Sequence, residues 1–401
     1  MTPGERLFYS TIKTEATSNH YRFFLHKYLE MYNYDYGSPD QILKKQPQDI
    51  ENEIVDCIIT LKGKGMKRAT IKNYIYPVIK FCRANRVRLN SDIFEDHLPR
   101  RVKSKDTGVY LHEQIQQMLT AADPRMRCVI LLLSSTGMRI GALPSLTFGN
   151  LEETKSGLYK ITIYEGEEEE YITFCTPECK QAIIDYKEYR ERYGEKITDK
   201  SPLIREQFDK RDSLSIKHPK PITDKLLIAT LTILLESVGI RERVTLSEGQ
   251  KPSTVRSNIP LCNGFRRFFT SQLIHSNCND LKRYLMEGHA LRYNDPSYAH
   301  VSETLEAEYL KAISNLTINP ENRLNIEVKE LKEKQSEIDL VKLELHQFKV
   351  EVRAKEKERR DDLIAHLREN ISLTRSQDLK EVYAEKIKQI KSWPSDFNFK
   401  D

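Results

Sequence analysis

The chain has 401 residues, of which 39% are hydrophobic and 31% charged, and carries a formal net charge of +5 with a mean hydropathy of −0.60. That length is a prior for two or three domains with real cores, and the longest apolar run, Cys128 to Leu133, is far too short to span a bilayer. The opening Met1-Thr-Pro-Gly-Glu-Arg lacks a signal-peptide pattern, and seven scattered cysteines point to reduced thiols, so a cytoplasmic chain is expected. Cys175 and Cys179 lack a second ligand pair and read as core thiols rather than a metal site.

In chain order, residues 1–20 carry weak periodicity and are expected to form a frayed arm. From His20 to Leu98 the pattern is helical. Tyr21, Phe23, Phe24 and Tyr28, then Ile50, Ile54, Cys57, Ile58 and Leu61, recur at spacings of three and four. Lys62 to Thr70 reads as a basic turn, with Thr70 as the N-cap of a helix through Ile71, Ile75, Val78 and Phe81. Residues 62–105 contain 13 Lys or Arg against three acidic residues, Asp92, Glu95 and Asp96. Such density suits a phosphate backbone, and a solvated basic face is the alternative. The candidate contacts are Lys62, Lys64, Lys67, Arg68, Lys72, Arg100, Arg101, Lys103 and Lys105. Pro99 to Gly108 reads as an exposed basic linker.

Beyond the linker, a helix from His112 precedes the buried apolar run Val129 to Leu133, which breaks at Thr136-Gly137. Tyr159–Tyr164 and Tyr171–Phe174 flank Glu165-Gly-Glu-Glu-Glu-Glu170, which predicts a hairpin with an acidic tip. Helices are predicted at 178–193, with Pro177 in the first turn, and at 222–238, 263–276 and 279–287. Residues 200–221 and 241–260 read as polar connections. From Asn322, Leu324, Leu331, Ile338, Leu345 and Val352 recur every seven residues, with Val328, Val341 and Phe348 between them. This predicts a coiled coil over 322–355; a solitary helix folded back on the preceding domain is the alternative. Trp393 to Asp401 is an aromatic tail. The expected fold is mainly α with a small β-hairpin or sheet, an α+β chain.

Four residues stand where phosphate chemistry needs them. Arg139 follows a Thr-Gly break, Arg266 opens a helix rich in Phe, His289 follows Gly288, and Tyr298 follows the turn signal Asn294-Asp295-Pro296. Two guanidiniums can hold and neutralise a phosphodiester, an imidazole can bond or protonate an oxygen, and a phenol can attack phosphorus. The stretch Thr136-Gly137-Met138-Arg139 to Leu143, then Asn263-Gly264-Phe265-Arg266, then Glu287-Gly288-His289 with Tyr298 nine residues on, resembles the motifs of the tyrosine recombinases (integrases) in order and spacing. The resemblance covers roughly residues 20–315. Thr136-Gly-Met-Arg-Ile-Gly, Thr173-Phe-Cys-Thr-Pro-Glu-Cys and Tyr309-Leu-Lys-Ala are most similar to integrases of archaeal mobile elements.

The resemblance implies a helical core DNA-binding domain (1–98), a linker (99–108) along DNA, a catalytic domain (109–316) and a C-terminal helical extension (317–401). It implies double-stranded DNA as partner, four protomers on two duplexes, and a 3′-phosphotyrosine intermediate formed without a cofactor. Tyr298 would be the nucleophile, with Tyr293 too close to His289 and Tyr309 read as core. Three departures stand out. The first histidine of the second motif is Asn263, the acidic residue after the first arginine is Ala142, and the hairpin tip offers no lysine. Lys160 on the first strand is the nearest candidate for that lysine. Two alternatives stay open: a DNA-binding chain weakened in catalysis, and a nicking-closing enzyme of the type IB topoisomerase kind.

Overall fold

The first residues form a helix rather than a frayed arm. Thr2 and Glu5 cap it reciprocally: the Glu5 N–H donates to Thr2 Oγ1 at 3.2 Å and the Thr2 N–H donates to the Glu5 carboxylate at 2.7 Å. This capping box starts α1 (Pro3–Ser10). Phe8 is fully buried, 5.6 Å from the Phe81 ring. Eight residues are too few for periodicity to declare a helix; the cap carried the signal. The computed structural model describes residues 1–34, 38–101, 108–242, 259–289 and 302–392, in two units, Met1–Asp106 and Thr107–Asp401.

The first unit adds α2 (Glu15–Met31), α3 (Pro47–Gly63), α4 (Arg68–Ala84) and α5 (Ser91–His97). Ile50, Ile54, Ile58, Ile71, Ile75 and Val78 close its core. The cap of α4 is Lys67, not Thr70. Gly65, at φ +72°, turns the chain sharply after α3, and the Met66 N–H returns to the Leu61 carbonyl at 3.1 Å. The chain therefore re-enters a helix two residues later, and Thr70 falls inside the first turn.

The second unit contains α6 (His112–Ala121), α7 (Pro124–Thr136), β1 (Leu151–Glu153), β2 (Tyr159–Ile163), β3 (Tyr171–Cys175), α8 (Pro177–Arg192), α9 (Ser213–Lys217), α10 (Asp224–Ser237), α11 (Asn263–His275), α12 (Asp280–Met286), α13 (Ser302–Leu310), α14 (Ile313–Leu316), α15 (Pro320–Leu373) and α16 (Gln377–Lys391). The fold is thus mainly α with one three-stranded antiparallel sheet, ordered β1-β2-β3. The hairpin stands as the sequence predicts. The third strand, β1, is too short for alternation to reveal it. Residues 200–221 are more than a polar connection: Leu203 and Ile204 are fully buried and α9 interrupts the loop.

Ile163 pairs with Tyr171, Ile161 with Thr173, and Lys160 with both Glu152 and Phe174. Directly opposed residues share a face, so Tyr171 lies on the Ile161/Ile163 face and Lys160 on the other. The helix α15 runs 54 residues. Near its far end Ile364 and Leu367 pack against Ile390 of α16. Among the described residues no helix is long and apolar enough to cross a membrane. Cys175 and Cys179 are buried core thiols. The Trp393–Asp401 tail, and most of the connection at 241–260, lie outside the described residues.

Candidate active site

The site begins where α7 stops. Every residue from Cys128 to Thr136 is buried, so the helix runs through the core, and its end is set by Gly137 at φ +62°. A Cβ there would stand 2.2 Å from the Phe269 ring, so any side chain collides as well as straining the backbone. Met138 goes inward, at 1% exposure. Arg139 turns outward and caps the 3₁₀ helix Ile140–Ser145. Among the described residues no acidic side chain pairs with it, and Ala142, where the resemblance leads one to look for a carboxylate, is fully buried.

Phe265, Phe268, Phe269 and Leu273 bury one face of α11, which leaves Arg266 at its rim. The guanidinium donates to the Gly137 carbonyl at 2.8 Å and to the Glu287 carbonyl at 2.5 Å, and its Nη2 lies 3.3 Å from His289 Nε2. One side chain therefore ties together the ends of α7 and α12. His289 is brought back by Gly288, at φ +67°, where a Cβ would meet the Tyr171 ring at 2.5 Å. The His289 N–H donates to the Tyr284 carbonyl at 3.0 Å.

Burial, and then the nearby charge of Arg139, hold the Arg266 guanidinium below its ordinary value. A half-buried guanidinium and an exposed one thus repel each other, and an anion bound between them would relieve that repulsion. Two phenols lie near these charges. Burial pushes Tyr171 up to about 12, against the opposing pull of Arg266 and Arg139. Its hydroxyl lies beside Arg266 but makes no hydrogen bond of good geometry among the described residues. Tyr164, at φ +56°, is likewise raised by burial and lowered by Arg139.

Sequence reasoning missed Glu287. Its side chain is 4% exposed, with Oε2 3.1 Å from His289 Nε2 and Oε1 accepting from Thr270 Oγ1 at 2.9 Å and from Arg283 at 3.3 Å. A signal was present: an acid at the C-cap of α12 opposes the helix dipole and calls for another reason to be there.

Asn263 is exposed at the first residue of α11, one turn before Arg266. Lys160 is ion-paired with Glu152 on the sheet face away from Tyr171. Tyr309 is fully buried and donates to the Ser135 carbonyl at 2.8 Å, a core role. Tyr298 and Tyr293 lie outside the described residues. In the first unit, Lys62, Lys64, Lys67, Arg100 and Arg101 are exposed. Arg68 and Lys72 are both ion-paired with Glu95, whose carboxyl is held below its usual range chiefly by Lys72. Lys103 and Lys105 lie outside the described residues.

No protein-family profile matches the chain, and no curated protein matches its sequence. Solved structures are similar to it. The Tn1549 transposon integrase in complex with transposon right end DNA is 16% identical over 76% of this chain and 99% of that one, with a TM-score of 0.47. A lambda integrase tetramer bound to a Holliday junction is 15% identical over 74% of each chain, with a TM-score of 0.45. XerA recombinase is 19% identical over 76% of this chain and 95% of that one, with a TM-score of 0.34.

Proposed function

We propose that the chain is a site-specific DNA recombinase, an integrase that cuts and rejoins strands through a 3′-phosphotyrosine link. The observation that supports this reading is Arg266, which bonds the Gly137 carbonyl two residues before Arg139, lies within the influence of the Arg139 charge and sits 3.3 Å from His289 Nε2, so that three separate stretches of sequence come near one another. In this reading the two guanidiniums hold the non-bridging oxygens of the scissile phosphate, and each such contact in a dry site is worth about 3–4 kcal/mol in the transition state. Tyr298 is the nucleophile. Its oxygen bonds to phosphorus, the bond from phosphorus to the 5′-oxygen breaks, and the proton lost by the phenol balances the one gained by the 5′-hydroxyl. His289 bonds a phosphate oxygen or assists that proton transfer, and Asn263 can donate a hydrogen bond to the phosphate. The link stores the bond energy, so a second strand's 5′-hydroxyl reverses the step without ATP.

Residues 1–98 are read as the core DNA-binding domain and 109–316 as the catalytic domain, joined by the basic stretch 99–108. Lys62, Lys64, Lys67, Arg100 and Arg101 are the foremost DNA contacts of the described residues. Four protomers acting on two duplexes of a mobile element, in the manner of archaeal integrases, complete the reading.

The test is a suicide substrate nicked next to the attachment site, followed by mass spectrometry of any adduct. A covalent adduct on Tyr298, lost in Tyr298→Phe, is expected. An adduct on another residue sinks the assignment of the nucleophile, and specific binding with no adduct sinks the catalytic reading. The second outcome has its own motive in the ion pair that occupies Lys160 and in the acidic hairpin tip. A chain without a general acid for the 5′-oxygen would cleave slowly, by about 10²–10⁴, and act chiefly as a DNA-binding protein.

A further inference from the structure

The first 33 residues of α15 carry an apolar stripe that no described residue covers. Leu331 is 65% exposed, Ile338 50%, Val341 63%, Leu345 50% and Phe348 59%, and half-buried Val352 continues the line. The contact with α16 lies beyond them, at Ile364 and Leu367. A helix of 54 residues is about 80 Å long at 1.5 Å per residue. It needs partners for such a stripe, since isolated helical stability comes mostly from packing an apolar face.

We propose that this stripe pairs with the same stripe of a second copy of this chain, as a parallel, in-register two-stranded coiled coil. Charge complementarity decides the occupant and its direction. Leu331, Ile338, Leu345 and Val352 fall at one heptad position, and Val341 and Phe348 fall three residues on, where Leu331 is followed instead by Lys334, so the two sets form one apolar seam from Ile338 to Val352. The residue before each member of the first set is Glu330, Glu337, Glu344 and Glu351; the residue four after Ile338 and Leu345 is Lys342 and Lys349. In a parallel pair, Glu337 and Glu344 of one copy face Lys342 and Lys349 of the other, on both sides of the seam. In an antiparallel pair, Glu faces Glu and Lys faces Lys. Beyond Val352, Glu351 meets Glu356, which ends the favourable stretch. Leu340, Leu343 and Val350 lie off the seam and are not used by this pair.

Introduced cysteines in the full-length chain read the register directly. Residues at the same seam position come within disulfide range, a Cα separation of about 4.4–6.8 Å, only where the helices are parallel and in register. Val341→Cys and Phe348→Cys, made singly, are each expected to give a disulfide-linked dimer under mild oxidation, whereas Ser336→Cys, on the outer face, stays at the wild-type background. An antiparallel pair can bring at most one of the two seam positions opposite itself. Cross-linking at one seam site alone, at neither, or equally at Ser336→Cys overturns the proposal.

A separate observation concerns Glu287, and it rests on the recombinase reading. Its main-chain carbonyl holds Arg266 while its carboxylate holds His289, and Thr270 and Arg283 fix the other carboxylate oxygen. We infer that Glu287 is a positioning residue that orients the His289 imidazole toward the phosphate. A double-mutant cycle on adduct formation in a single turnover tests it. Glu287→Gln is expected to slow the step about tenfold or more, the range known for loss of a carboxylate behind a metal-bound histidine, with DNA affinity unchanged. In a His289→Ala background the same change should add nothing. Additive losses mean that Glu287 acts through the fold, and no loss means that it does not act; either overturns the inference. Should Glu287→Gln not fold, Glu287→Asp, which keeps the charge but withdraws it, enters the same cycle. A wild-type chain that forms no adduct removes the recombinase reading itself, and this role with it.

Discussion

On the proposed recombinase reading, Arg266→Lys will cut the single-turnover rate of adduct formation by about 10²–10³-fold, the loss that follows removal of one preorganised donor to a developing anion. The native guanidinium already spends two of its five donors on the Gly137 and Glu287 carbonyls. Those two bonds lock its plane, so the rest of the fork meets an anion without further ordering. An ammonium on a flexible stem has no plane to lock and cannot bridge both carbonyls and a phosphate. The variant keeps the charge, so DNA affinity should change little while the chemical step fails. A cleavage rate within tenfold of wild type shows that Arg266 is a structural tie between α7, α11 and α12 and nothing more.

Glu195→Gln will destabilise the second unit by about 3–5 kcal/mol, the cost of leaving buried charges without their counter-ion. Arg190 and Arg205 are 0% and 3% exposed and clasp Glu195, itself 1% exposed, at 2.5 and 2.7 Å. The arginines hold little else that is charged. Arg190 donates to the Pro202 and Leu203 carbonyls, and Arg205 to the Ser215 carbonyl. Thermal unfolding should drop by roughly 6–20 °C, at about 2–4 °C per kcal/mol for domains of 150–250 residues. Burial alone would raise the Glu195 carboxyl, but the bonds from both arginines outweigh it and hold the group below its usual value. A depressed carboxyl contributes stability above the ordinary carboxylate range, and that stability is lost as pH falls through the lower folded value. The gap between wild type and variant should therefore be full at neutral pH and close below about pH 4. A gap under 1 kcal/mol at pH 7, or one that does not narrow in acid, counts against this account.

This triad also marks a limit of reading the chain as text. Arg190, Glu195 and Arg205 are spaced like any charged surface run, and residues 200–221 read as a polar connection. Only the packing of Leu203 and Ile204 beneath the loop reveals that the charges are inside. The same limit explains β1: three residues cannot show alternation, and the strand exists because β2 offers an open edge.

The helices were legible because an apolar face repeats at 3.6 residues whatever lies against it, and the hairpin because β-branched and aromatic residues alternate on either side of a turn. The order of Arg139, Arg266 and His289 was legible too, since Gly137 and Gly288 mark breaks that a chain makes only where other residues are strained. What tertiary structure alone decided is who touches whom at those breaks. The Phe269 ring against Gly137 and the Tyr171 ring against Gly288 bring three helix ends together. The Glu287 carboxylate reaches His289 only because α12 stops one residue before it, and Lys160 faces away from Tyr171 because strand pairing turns it to the far side of the sheet. Local pattern fixes conformation residue by residue, whereas convergence of distant side chains depends on burial summed over the whole core, which no short window of sequence contains.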